Sequence, residues 1–141
     1  MNEIRFDIQH SEFGNLVVPI IDDKSLISIL KDIELSFAKK EGSSKIAGGY
    51  AGLPISLVRS PSVYFYGGET QRTDGKTVLL ICECLCGGCW DFVAEIEVKE
   101  RKIIWKNFEQ IHRRNWSYTE LGIFEFDKEQ FVNALKELES K

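Results

Sequence analysis

Along the first residues apolar Ile4, Phe6 and Ile8 alternate with charged Glu3, Arg5 and Asp7, the two-residue period of a half-buried strand over 3–9. A second apolar stretch, 16–21, runs into Asp22 and Asp23, either of which can cap a helix. The period then lengthens. Leu26, Ile29, Leu30, Ile33 and Phe37 recur at helical spacing and predict a helix over about 23–40, with Lys31, Asp32, Lys39 and Lys40 facing away. Lys39 and Lys40 suit the negative end of its dipole, and Gly42 follows as a stop.

Residues 41–61 hold Gly42, Gly48, Gly49, Gly52, Pro54 and Pro61, so this stretch reads as an ordered loop packed through Tyr50, Leu53 and Leu57. Beyond it β-favouring segments dominate: Val63 to Tyr66, then Thr77 to Cys86, Trp90 to Val98 and Lys102 to Phe108, with Asp74-Gly75 as a turn signal. The last three predict an antiparallel meander. Asp127 and Gln130 approximate a capping box for a closing helix over about 128–139 whose apolar stripe is Phe131, Ala134, Leu135 and Leu138. The expected fold is α+β, an antiparallel β-meander sheet with an N-terminal-half helix and a C-terminal helix packed on one face.

A chain of 141 residues, 43% hydrophobic and 28% charged, can bury one core unaided, and no linker, repeat or low-complexity run divides it. Residues 1–141 are therefore read as a single globular domain. Its 18 basic and 22 acidic residues leave a net charge of −4, which argues against nucleic acid or an anionic membrane as partner. The longest strongly apolar run, Leu16 to Ile21, contains Pro19 and is far shorter than the ~20 residues that span a bilayer. The alternating N-terminus is unlike a signal peptide, and a cytoplasmic location is expected.

All four cysteines fall between positions 82 and 89, too close together to staple distant parts of the chain, so reduced thiols or metal ligands are expected rather than a disulfide scaffold. Folding Thr77–Val98 about a two-residue turn at Gly87-Gly88 brings Leu79, Ile81 and Leu85 opposite Ile96, Ala94 and Trp90. That face is apolar except for Glu83. The opposite face then carries Cys82, Cys84, Cys86 and Cys89 together with Asp91, Glu95 and Glu97. Converging thiols are zinc ligands by preference, and His112, past the next strand, is the candidate for the fourth. The plainer reading is that the cysteines are small hydrophobes filling a second layer beneath the 41–61 loop.

A nucleophilic thiol needs a nearby cation or helix N-terminus, whereas the charges expected on this hairpin are carboxylates. Cys86-Gly87-Gly88-Cys89 is no thioredoxin motif either, since strand-forming residues follow it instead of a helix. His112-Arg113-Arg114-Asn115-Trp116 is the second concentration of functional side chains. Its arginines can hold an anion, or simply stack on aromatics and pair with carboxylates. Thr70 to Thr77 lacks the first glycine of a phosphate-binding loop, and Gly48 to Gly52 is read as backbone flexibility or close packing. The acidic row Asp91, Glu95 and Glu97 reads as a solvated face.

The series Cys82-x-Cys84 … Gly88-Cys89-Trp90, Gln110-x-His112-Arg113-x-x-Trp116 and Leu121-Gly122-x-Phe124-x-Phe126-Asp127 resembles a family of small bacterial proteins, over about residues 79–136. The resemblance implies no particular activity, cofactor or partner. Its pattern matches Cys82, Cys84 and Cys89 but has no cysteine at position 86.

The function expected first is that of a small cytoplasmic bacterial binding protein, of the sort that includes immunity proteins. Its partner would be another protein, met through Trp105, His112, Arg113, Trp116 and Tyr118. The alternative is a zinc protein using Cys82, Cys84, Cys89 and His112, with Cys86 as a further ligand. A small-molecule enzyme comes third; no catalytic residue is assigned, and the reading leans away from an enzyme.

Overall fold

The computed structural model describes residues 1–68, 72–85 and 89–141. Strands β1 (Ile4–Ser11) and β2 (Gly14–Ile21) form a hairpin that pairs from Ile4↔Ile21 to Ser11↔Gly14. Asp22 and Asp23 cap nothing. With φ of 50° and 66° they turn β2 back onto the short strand β3 (Lys24–Ser25), with Ile21 opposite Lys24. Paired left-handed residues are what a tight hairpin turn demands, and aspartate tolerates them. The cap of helix α1 (Leu26–Lys40) is Ser25, whose hydroxyl accepts the Ile27 N–H at 3.2 Å.

The helix buries Leu26, Leu30, Glu34 and Ala38, while Ile29, Ile33 and Phe37 are only half-buried. The sequence stripe is thus rotated toward the i+4 line, and that line contains a carboxylate. After α1 the chain makes two short strands, β4 (Tyr50–Ala51) and β5 (Leu53–Pro54). Here the expected loop packs through Tyr50 and Leu53, but Leu57 is exposed. β5 joins β2, and β4 joins the second sheet. Gly52, between them, presses on β2: a Cβ there would lie 2.7 Å from the Val17 carbonyl oxygen and from a Val18 methyl.

Val63 to Tyr66 is not a strand. Ser60-Pro61 opens a single helical turn, α2 (Pro61–Tyr64), because proline is preset for the first helical position, and this outweighs the β-preference of Val, Tyr and Phe. The meander follows as β6 (Thr77–Cys82), β7 (Phe92–Val98), β8 (Lys102–Gln110) and β9 (Phe124–Asp127), giving the sheet order β4-β6-β7-β8-β9. The α+β class and the meander expected from the sequence are present, together with a second antiparallel sheet built on β1 and β2. Helix α3 (Lys128–Glu139) is capped by Asp127, which accepts the Gln130 N–H at 3.1 Å.

One continuous cluster of buried side chains runs through both sheets and all three helices. Its centre is aromatic: Trp105 packs edge-on against Phe126 at 5.2 Å and Phe131 at 6.1 Å, and Phe65 bridges Trp105 to Phe6 of the first sheet. Among the described residues, no helix is long and apolar enough to cross a membrane.

Candidate metal centre

The β6–β7 register differs from the two-residue-turn expectation. Val78 lies opposite Val93 and Leu80 opposite Phe92, with an irregularity between them, and the paired strands end at Cys82 and Phe92. Leu79 therefore does not meet Ile96, and neither Leu85 nor Trp90 lies in a strand. Instead Cys82 to Leu85 makes a turn closed by the Leu85 N–H on the Cys82 carbonyl at 2.8 Å, with Leu85 at φ 63°. Cys86, Gly87 and Gly88, which carried the expected turn, lie outside the described residues.

The turn and the incoming β7 arm bring three sulfurs together. Sγ of Cys82, Cys84 and Cys89 all lie within 4.8 Å of one another, with Cys82 half-buried and Cys84 and Cys89 exposed. These thiols are not the apolar filler of a second layer. Three sulfurs at this separation could hold a metal ion, since Zn–S bonds of about 2.3 Å put thiolates in van der Waals contact around the ion. Hydrogen bonding and charge from Cys82, then Cys84, push the Cys89 thiol up to about 11. A cation among the sulfurs opposes this mutual repulsion.

The base of the cluster is firm. Tyr50 of β4 pairs with Cys82 of β6, and the Glu83 N–H reaches the Gly49 carbonyl at 3.3 Å. Gly48 holds φ 66° against the Lys31 side chain, where a Cβ would approach to 2.6 Å. Beneath this strand pair is the buried Glu34. One carboxylate oxygen accepts the Gly48 N–H at 2.9 Å; the other accepts the Tyr50 and Tyr118 hydroxyls, each at 2.6 Å. Gln110 extends the network by donating to the Tyr50 hydroxyl at 3.1 Å and accepting the His112 N–H at 2.9 Å. Burial raises the Glu34 carboxyl above the ordinary range, against the lowering effect of these three hydrogen bonds, and burial likewise raises both tyrosines.

A surface cleft of about 260 Å³ borders the sulfurs, lined by Lys45, Ile46, Gly49, Cys82, Glu83, Cys89 and Trp90. Cys84 and Leu85 border another, of about 290 Å³, with Phe13, Leu16 and Pro54. His112 lies outside the three-sulfur group; its ring stacks on Trp90 with centroids 6.3 Å apart. Arg113 sits over the same indole at 5.0 Å and binds Glu41 at 2.9 Å, the stacking and pairing role rather than an anion clamp.

The expected contact surface is mostly interior. Trp105, Trp116 and Tyr118 are 0%, 4% and 7% exposed, Trp105 because it faces the core from β8, and Trp116 and Tyr118 because their segment packs on α1 and the meander; His112 is exposed and Arg113 half-buried. Trp116 donates to Glu41 at 2.7 Å and stacks on Phe37. The acidic row is also broken up: Asp91 is buried, while Glu95 and Glu97 share Lys106 at 3.5 and 2.7 Å.

Sequence reasoning missed Glu34. Its trace was a carboxylate four residues from Leu30 and from Ala38, inside what proved to be the buried line of α1. Fold and site together describe an α+β protein with a three-thiol cluster at the end of a hairpin. No family model, curated protein or solved structure matches the chain.

Proposed function

We propose that this chain binds a thiophilic divalent ion, zinc foremost, through Cys82, Cys84 and Cys89. The observation that carries the reading is the convergence of three sulfurs, each within 4.8 Å of the others, supplied by two separate backbone segments. Soft thiolates select zinc and its thiophilic relatives over the hard cations that oxygen ligands favour. The acidic chain, at −4, adds no penalty for a cation. Zinc takes four ligands, so the fourth comes from His112, from Cys86 or from solvent.

Elemental analysis of freshly purified, reduced protein should find one zinc per chain. Cys84→Ser should weaken binding about 100-fold or more, since changes to groups merely touching a ligand already cost 10–100-fold. A loss of the same size in His112→Ala assigns the imidazole as fourth ligand; unchanged affinity there moves that position to Cys86 or water. Protein that takes up no zinc under reducing conditions ends the reading.

A further inference from the structure

The three sulfurs differ in how the backbone holds them, and that difference decides what an oxidant would do. Cys82 and Cys84 sit on one turn, locked by the Leu85 N–H on the Cys82 carbonyl. Cys89 arrives from the β7 side, outside that turn, and is exposed while its sulfur lies within 4.8 Å of both others. All three sulfurs start within 4.8 Å of one another; a bridge to Cys89 closes by χ rotation and a small backbone shift, whereas a Cys82–Cys84 bridge closes a ring of only three residues inside the hydrogen-bonded turn.

We infer that this cluster is also an oxidation site in which hydrogen peroxide joins Cys89 to Cys82 or Cys84 in an intrachain disulfide, and that the bridge expels the ion. A thiolate of the cluster attacks the peroxide; the O–O bond breaks, the sulfur becomes a sulfenic acid and one oxygen leaves as water after taking a proton. The second sulfur attacks the sulfenic sulfur, the S–S bond forms, the S–O bond breaks and a second water leaves. Two thiols lose two protons and two electrons, and the peroxide takes up both to become two waters. Either bridge consumes two of the three described ligands. The bridge itself stands on the sulfur geometry alone; the release of an ion rests on the metal reading.

The test begins with metal-free, reduced, full-length protein given one equivalent of hydrogen peroxide, followed by alkylation and peptide mapping. The expected product is an intrachain bridge containing Cys89, absent from Cys89→Ser and retained through Cys82 in Cys84→Ser. No bridge in the wild-type chain, a bridge only between chains, or one that bypasses Cys89 overturns the inference whatever the variants do. In a second arm, zinc-loaded protein is oxidised beside a chromophoric chelator. Zinc should appear in step with the bridge, with affinity down about 100-fold or more, and zinc retained by bridged protein overturns the coupling. Reduced protein that never binds zinc defeats the metal reading instead, while the first arm still decides the disulfide.

Discussion

Glu34 shares the buried side of α1 with Leu26, Leu30 and Ala38, and its charge is tolerated there because three donors from distant segments converge on it. They tie the helix to the 48–50 segment and to Tyr118, and so support the strand pair that carries Cys82. Removing the acceptor strands three buried donors, so Glu34→Ala should cost about 3 kcal/mol or more, and Glu34→Gln, which keeps one acceptor, about 1–2 kcal/mol. The pH dependence follows from burial. A carboxyl raised in the folded chain binds its proton more readily there than in the unfolded chain. Its favourable contribution is therefore complete below the ordinary carboxylate pKa and is lost as the pH rises through the raised value. Urea titrations from pH 4 to 8 should show this decline in the wild-type chain and not in Glu34→Gln; identical profiles would remove the linkage.

At the scale of elements, the second sheet and the meander meet where β4, Gly52 and β5 cross from one to the other, and there the backbone runs against β2 with no room for a methyl group. Gly52→Ala should destabilise by about 1–3 kcal/mol, the usual cost of overpacking, with spectra of the folded protein unchanged; a neutral effect in thermal melts would show that β2 yields. Elements with long, regular periods were legible in the sequence: α1, α3 and strands β6, β7 and β8 lie close to where residue periodicity puts them. What escaped it was local and sterically decided. Asp22-Asp23 reads equally as a cap or a hairpin turn, and the closure of β2 on β3 chooses the turn. Val63 to Tyr66 has strand composition, but Pro61 starts a helical turn. The extra residue at Asn107, with φ 53°, shifts the β7–β8 register between Val93 and Glu95, and no period forecasts a bulge. The cysteine cluster was legible as a cluster while its cause was not: the sulfurs meet through a turn at Cys82–Leu85. Trp105, Trp116 and Tyr118 read as a surface because composition does not say which side of a segment the core lies on.

Across the whole molecule, the core and the thiol cluster are largely separate sources of order. The aromatic centre joins β1, α2, α3 and the meander, and the outer edge of β1 is held by α3. Gln130 answers both the N–H and the carbonyl of Ile4 at 3.0 and 2.6 Å, and Lys141 reaches the Phe6 carbonyl at 3.3 Å. Side-chain groups thus occupy positions that another strand would otherwise seek. The cysteines, by contrast, lie close together in sequence at an exposed hairpin end. An unfolded chain can gather such neighbouring thiols almost as readily, and an ion bound by both states stabilises neither fully. A structural zinc finger unfolds when its metal is removed; this chain should not. Chelator-treated, reduced protein should keep its far-ultraviolet dichroism and a cooperative melt. Zinc at 100-fold excess over Kd should add less than the roughly 2.7 kcal/mol available to a ligand that binds the folded state alone. Collapse of the dichroism on chelation would show instead that the ion is part of the core's stability and that the two sheets do not stand without the hairpin end.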